Sequence, residues 1–343
     1  MNRLLTASFL LFLSPQLLAE TDPELFFRLK ASVAKVHVIT KTGGHGVGSA
    51  VVVGKDLVAT NCHVLANAKG VNITKFGDAH QPVSLRADWA HDVCILRFKY
   101  LELKPVELGD SETLTYEQEV FAIGFPGGPP KPQVTTGKIK ALYPFQGAHI
   151  VRSDASFVMG ASGSPLFDSQ GRLVAMNTFK SPGRGAYFYN IPVKWIKTLL
   201  DAPESTETTS MVPDKTPFWD AAETERPFFM QVVLPYQNEK WAELKPIAEA
   251  WVKAEPNSEE AHYYLGVAQH KLGDKTAAKT ALNQALKLHP NHAASLQALA
   301  FIAKEDDNLA ELDRLKIAMK AVNDDVLEEF NQAFAPPEVL EAK

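Results

Sequence analysis

The feature that most constrains this chain is a serine enclosed by glycines in residues 160–165, which read GASGSP. Glycines permit a tight turn that exposes the hydroxyl group of Ser162 and leaves nearby N–H groups free to hold an oxyanion. A serine hydroxyl is a weak nucleophile at neutral pH, so it needs a histidine base and a carboxylate that orients this base. Ser162 is therefore a candidate nucleophile only if both partners are present.

Both partners precede the serine. His63 follows the apolar run at 50–53, and Asp92 opens the alternating stretch 93–98. The order histidine, aspartate, serine is that of chymotrypsin-like proteases. Each residue taken singly also fits a plain turn, a half-buried histidine or an exposed charge, but the ordered combination favours a triad. The remaining histidines lack metal-ligand spacing, so we expect neither a metal nor a cofactor.

Four segments, taken in order, resemble the trypsin-like peptidases of the HtrA (Deg) type. They read GSAVVV…VATNCHV, HDVCILRF, FAIGFPGG…TTGKIKAL and SDASFVMGASGSPLFDSQGRLVAMNT. The resemblance implies an all-β double β-barrel (chymotrypsin-like) of two six-stranded antiparallel barrels, with the triad in the cleft between them. It also implies that His63 is the general base, Asp92 its orienting partner and Ser162 the nucleophile. The backbone N–H groups of Gly160 and Ser162 would form the oxyanion hole.

The same resemblance suggests a substrate pocket. In chymotrypsin-like enzymes its base lies six residues before the nucleophile, here Ser156, and its wall would come from Asn177, Thr178 and Phe179. An Arg or Lys side chain would lose its hydration in a pocket without a carboxylate. We therefore expect a small or medium apolar residue before the cleaved bond. For Phe179 a place in the core remains an equal alternative.

Short β-rich runs separated by turn residues are typical of an all-β domain. The proline- and glycine-rich stretch 126–132 is expected to be a loop at the rim of the site, and 193–200 a short closing helix. The predicted strands are 33–40, 48–53, 57–59, 93–98, 120–124, 138–142, 149–152, 165–168, 173–178 and 186–191.

The N-terminus and the cysteines indicate export. Arg3 precedes an apolar run at 4–13, so residues 1–19 are predicted to be a cleavable signal peptide that leaves no stable membrane anchor. A buried helix or an uncleaved anchor is the alternative. An exported chain with only two cysteines offers one bridge. Because Cys62 adjoins His63 and Cys94 lies two residues past Asp92, a disulfide is predicted, with two reduced thiols as the alternative.

The chain after the predicted protease domain, 20–200, changes character. Residues 201–217 are polar and read as a linker, followed by a tetratricopeptide-repeat-like helical domain at 218–330 and a C-terminal tail at 331–343. Within this all-α helical-repeat domain, 259–292 carries the pattern most clearly, between degenerate units at 225–258 and 293–326. A plain helical bundle is the alternative. HtrA proteins usually carry PDZ domains at this place, and none is apparent.

Two functions fit this sequence. The first is a periplasmic or secreted serine endopeptidase that cleaves polypeptide substrates, with a protein partner or substrate held on the helical-repeat face. The second is a helical-repeat adaptor with a weakly active or inactive protease-like module. The net charge of −5 argues against a nucleic-acid partner.

Overall fold

The computed structural model describes residues 23–182, 185–204 and 211–333. The predicted signal peptide, 1–19, and residues 334–343 of the predicted tail lie outside the described residues. In the described ranges, no helix is long and apolar enough to span a membrane. No group of metal-ligating side chains was found in these same ranges.

The first half of the β region is an open antiparallel sheet of seven strands, in the order β5-β4-β1-β2-β3-β7-β6. A closed six-stranded barrel was expected here, and that detail is wrong. The strands at the two edges, β5 and β6, are not paired with each other in the described chain, and β5 has only three residues. The elements are α1 (Pro23–Lys30), β1 (Val33–Thr40), β2 (His45–Gly54), β3 (Leu57–Thr60), α2 (Cys62–Leu65), β4 (Ala68–Lys75), β5 (Asp78–His80), β6 (Ser84–Asp88) and β7 (Val93–Arg97).

The second half is a closed barrel of six antiparallel strands, in the order β10-β13-β12-β11-β8-β9. A short helix, α3, closes this half, as predicted. The two halves together confirm the expected chymotrypsin-like fold class. The elements are β8 (Glu119–Gly124), β9 (Gln133–Phe145), β10 (Ala148–Ser153), β11 (Pro165–Asp168), β12 (Leu173–Lys180), β13 (Phe188–Pro192) and α3 (Val193–Leu200).

The helical region shows a repeat of 34 residues. Helices α7 and α9 begin 34 residues apart, and so do α6, α8 and α10. In the first, degenerate unit, two short helices, α4 and α5, replace one long helix, and Pro235 in α5 lacks the N–H group that a continuous helix would need there. The helices are α4 (Phe228–Gln231), α5 (Val233–Gln237), α6 (Trp241–Ala254), α7 (Glu259–Lys271), α8 (Lys275–Leu288), α9 (Ala293–Glu305), α10 (Leu309–Val322) and α11 (Asp324–Ala333).

Close helix packing explains the small residues of the middle repeat. A Cβ atom at Gly266 of α7 would lie 2.7 Å from the side chain of Leu282 of α8. Both helices are capped at their N-termini, since the side chains of Ser258 and Asp274 accept hydrogen bonds from backbone N–H groups of the first turn. The absence of a Cβ atom at Gly266 therefore permits α7 and α8 to pack closely against each other.

The helical region is docked on the second barrel by an aromatic core. The ring of Tyr143 stacks on Phe229 at 4.5 Å, and Trp251 lies 6.3 Å from the same tyrosine. Polar contacts border this core: the hydroxyl of Tyr116 lies 2.9 Å from a carboxylate oxygen of Glu259 and 3.2 Å from one of buried Glu260, and its single proton is shared between these two acceptors. The barrel and the repeats thus share one continuous hydrophobic core.

The far end of the repeats returns to the same barrel. On β9, Lys138 forms an ion pair with Asp325 of α11, and Lys140 lies 3.8 Å from Glu329 of α11. These pairs are partly exposed, so each contributes little stability on its own. They place α11 beside the barrel in this structure.

The described part of the predicted linker, 201–217, contacts the first half of the fold. Glu204 accepts hydrogen bonds from Arg97 at 2.7 and 2.9 Å and forms an ion pair with Arg86 at 2.9 Å. Further on, Met211 is 1% exposed within the core of the first sheet, and its carbonyl oxygen accepts from the N–H of Asn67 at 2.8 Å. Both described parts of this segment, 201–204 and 211–217, therefore contact the first sheet.

Candidate active site

The partly exposed His63 and the buried Asp92 form a hydrogen-bonded pair. His63 lies in α2, and its backbone N–H donates to Oδ1 of Asp92 at 2.8 Å. The ring nitrogen Nδ1 of His63 lies 2.6 Å from Oδ2 of Asp92. Asp92 has no exposed surface and a left-handed backbone with φ of 62°. Its carbonyl oxygen accepts from the side chain of Asn61 at 3.0 Å. These contacts fix the carboxylate and orient the imidazole, as a base–orienter pair requires.

The nucleophile loop needs both of its glycines. Gly160 has φ of +91° and Gly163 has φ of +86°, a region that other residues rarely occupy. A Cβ atom at Gly163 would lie 2.0 Å from the carbonyl oxygen of Ser49 and 2.6 Å from Oγ1 of Thr60. Since Thr60 lies three residues before the histidine, this close packing holds the loop of Ser162 against the end of the strand that precedes α2.

The two N–H groups predicted to form the oxyanion hole, those of Gly160 and Ser162, are available for a substrate. The carbonyl oxygen of Met159 accepts from the N–H of Gly127 at 2.6 Å, and a trans peptide then directs the N–H of Gly160 to the opposite side. Within the described ranges, neither this N–H nor that of Ser162 donates a hydrogen bond to the protein. Gly127 belongs to the predicted rim loop, 126–132, which therefore contacts the nucleophile loop.

The hydroxyl of the serine is not bonded to the histidine in this conformation. Its Oγ lies 3.5 Å from the carbonyl oxygen of Thr178, and the described part of the chain shows no hydrogen bond between Ser162 and His63. Hydrogen bonds of a catalytic site are often long in unliganded structures and tighten with substrate. His63 and Asp92, the predicted base and orienter, are thus in contact, and Ser162, the predicted nucleophile, lies close to strand β12 of the second barrel.

The four predicted pocket residues have different environments. Ser156 is exposed, whereas Asn177 and Thr178 are buried. Phe179 is 7% exposed and stacks on Tyr189, with ring centroids 4.7 Å apart. Its ring also lines a cavity of about 290 Å³ that is bounded on the other side by residues 219–234 of the helical region.

Sequence reasoning missed a tryptophan that belongs to this site. The indole N–H of Trp219 donates to Oδ2 of Asp92 at 3.0 Å, and its ring meets the His63 ring edge-on at 5.3 Å. The same ring stacks on Phe179 at 5.5 Å. The only local signal is the aromatic pair at 218–219, which was assigned to the helical domain. Trp219 and Asp92 are 127 residues apart in the sequence, and no local sequence pattern predicts a contact over such a separation.

The two cysteines are joined in a disulfide, with their Cα atoms 4.9 Å apart. Cys62 is the first residue of α2 and Cys94 is the second residue of β7, so the bridge connects the two elements that carry the predicted base and orienter.

His91, the residue before Asp92, does not belong to this pair and forms its own ion pair with Asp88. Burial is the largest single influence and lowers the pKa of His91, but the hydrogen bond and the charge of Asp88, together with the hydrogen bond to Gln146, outweigh it and raise this pKa.

Comparisons with known proteins support the same class. The two-part β fold, the histidine–aspartate pair and the glycine-flanked serine are the features expected of a chymotrypsin-like serine peptidase. The family model described as a trypsin-like peptidase domain matches residues 48–176, and a tetratricopeptide repeat model matches 259–292.

The chain is 32% identical over 160 residues to Protease Do-like 1, chloroplastic, of Arabidopsis thaliana, a match that covers 42% of this chain and 36% of that protein. It is 30% identical over 161 residues to a protein of Halomonas elongata whose name describes a DegP-like periplasmic serine endoprotease, with 43% and 33% covered. The match thus spans about a third of the length of each relative.

The solved structure of the Rv3671c protease from M. tuberculosis, in its active form, has a TM-score of 0.50 and 20% identity, and the match covers 56% of this chain and 93% of that one. This likeness concerns the fold alone. The sequence matches confirm the predicted resemblance: the β domain is similar to trypsin-like serine peptidases of the HtrA type, and residues 259–292 match a tetratricopeptide repeat.

Proposed function

We propose that this chain is an exported serine endopeptidase that cleaves polypeptides through an acyl-enzyme. The observation that carries the proposal is the pair of hydrogen bonds by which Asp92 orients His63 beside the glycine-flanked Ser162. The imidazole would take the proton of the serine hydroxyl while Oγ bonds to the scissile carbonyl carbon. The free N–H groups of Gly160 and Ser162 would then hold the oxyanion.

In the following step the imidazolium would give its proton to the leaving amine, the C–N bond would break, and water would release the acyl group by the same route. Ser156, Asn177, Thr178 and Phe179 remain our proposed substrate pocket. Because no carboxylate is among them, a small or medium apolar residue is expected before the cleaved bond.

We assign the domains as predicted: signal peptide 1–19, protease domain 20–200, linker 201–217, helical domain 218–330 and tail 331–343. Relatives named as periplasmic endoproteases support a place in the periplasm or outside the cell. Tetratricopeptide repeats support a role for the helical region in binding a substrate or partner protein.

A second function is favoured by one observation. The hydroxyl of Ser162 contacts the carbonyl oxygen of Thr178 and makes no hydrogen bond to His63 in the described chain. If this arrangement persists with substrate, the chain would be a helical-repeat adaptor with an inactive protease-like module.

The experiment that separates the two is cleavage of an unfolded protein, together with labelling by a serine-directed phosphonate. The mature wild-type protein should cleave and be labelled, and Ser162→Ala should lose both, because the acyl-enzyme needs this hydroxyl. Ser164→Ala is the matched control, since the buried hydroxyl of Ser164 has no hydrogen-bond partner in the described chain. Cleavage by Ser162→Ala within tenfold of wild type would contradict the proposal.

A further inference from the structure

The hydrogen-bond acceptors of Asp92 point to a role for a residue outside the barrels. Oδ1 accepts from the backbone of His63, whereas Oδ2 accepts from two groups, Nδ1 of His63 and the indole N–H of Trp219. A fully buried carboxylate without enough donors is costly, and each charge-assisted hydrogen bond restricts its orientation. The indole therefore completes the donor set of the oxygen that holds the imidazole.

Other polar side chains nearby are already occupied. The hydroxyl of Thr178 donates to the carbonyl oxygen of Met176 at 2.9 Å and accepts from Asn61 at 3.0 Å. Within the described ranges, His63 and Trp219 are the only residues whose side chains donate to the Asp92 carboxylate. The indole N–H is thus the one side-chain donor besides the imidazole itself.

The indole is held firmly at this place. It belongs to residues 211–220, which we call the crossing segment, and which is fixed at both ends. Near its start the carbonyl of Met211 accepts from Asn67, and near its end the N–H of Phe218 donates to the carbonyl of Ala90 at 3.1 Å. The indole stacks on Phe179 of β12, with an interplanar angle of 16°. Its contacts therefore reach both halves of the β domain.

From this geometry we infer that Trp219 is a positioning residue of the triad, supplied by the chain beyond the barrels, which holds Asp92 and through it the imidazole of His63. The inference rests on the proposed peptidase function. Trp219 acts through the aspartate, and no contact of its indole with substrate is required. Its loss should therefore affect the chemical step more than substrate binding.

The test removes the N–H donor of Trp219 while an aromatic ring at position 219 is kept, so that the packing against Phe179 is preserved. Trp219→Phe removes the N–H donor, and 3-benzothienylalanine at position 219 replaces only the N–H by sulfur. For both, kcat should fall about tenfold, as expected for the loss of one hydrogen bond to a charged group, while KM stays within about twofold. The rate of labelling by the phosphonate should fall in parallel, since labelling needs the same base.

Trp251→Phe is the matched control. This variant also loses an indole hydrogen bond to a carboxylate, that of Trp251 to Glu255 at 2.8 Å, but far from the triad. It should leave kcat unchanged, and circular dichroism should show that all three proteins are folded. If the benzothienyl protein has wild-type kcat, the role of Trp219 is refuted while the peptidase function stands. If wild-type protein neither cleaves nor is labelled, the peptidase function fails first, and the positioning role fails with it.

Discussion

Reduction of the Cys62–Cys94 disulfide should lower the free energy of unfolding of the β domain by about 3.7 kcal/mol. The bridge closes a loop with a sequence separation of 32. In the chain-entropy description, a loop of this length removes about 12 cal/mol/K from the unfolded chain, which gives this value at 25 °C. Both cysteines are fully buried, so the bridge is protected from reductant in the folded protein.

The assay is urea unfolding with and without a phosphine reductant, after equilibration through the unfolded state so that the bridge opens. Wild-type protein should lose the stated amount, and cleavage by the reduced, folded protein should slow because the two bridged elements carry base and orienter. The double variant Cys62→Ala/Cys94→Ala should show no dependence on reductant. A difference below about 1 kcal/mol between oxidised and reduced wild type would refute the loop-closure reasoning.

Two further outcomes follow from the structure. Gly163→Ala should prevent labelling of Ser162 by the phosphonate, because the new Cβ atom would lie 2.0 Å from a backbone oxygen. Gly147→Ala is the control: this glycine also has a positive φ, +79°, but no atom lies within 4 Å of the new Cβ, so the free energy of unfolding should fall by only about 1–2 kcal/mol, as thermal unfolding can measure. Hydrogen bonds from Arg97 and Ser84 lower the pKa of Glu204 from 4.5 to about 2, so this carboxylate should stabilise the fold above pH 4.5 and lose that effect as the pH falls towards 2. The unfolding midpoints of wild type and Glu204→Gln should then converge in acid, and a gap that stays constant from pH 6 to 2 would contradict this.

The sequence predicted ten of the thirteen strands of the described β domain and missed the short strands β5 and β6 as well as the longer strand β4. This strand alternates as a half-buried strand should, yet one of its inward positions is Lys75. The ammonium group donates to the carbonyl oxygens of Lys30 and Val33, and burial lowers its pKa to about 8. A charged residue at a core position hides the apolar pattern, and only the folded chain shows the carbonyl groups that compensate for it.

The candidate site was predictable where residues are adjacent to strand patterns and glycine motifs. The positions of His63, Asp92 and Ser162 each follow from a local signal in the chain. Trp219 has no such signal, because its role depends on the path of residues 211–220 across the sheet. Long-range contacts of this kind are set by tertiary packing, which no window of sequence reports.

The double attachment of the helical region to the second barrel has a mechanical consequence. A repeat array that is free at one end can bend and twist like a spring, and its length can change by whole repeats. Here the aromatic core around Tyr143 anchors α6 and α7, and Lys138 and Lys140 hold α11 against the same barrel. The array therefore touches one β-barrel at both ends, through an apolar contact at one end and through partly exposed ion pairs at the other. An inserted 34-residue unit would move α11 away from Lys138 and Lys140, and these weak pairs would break before the aromatic contact does.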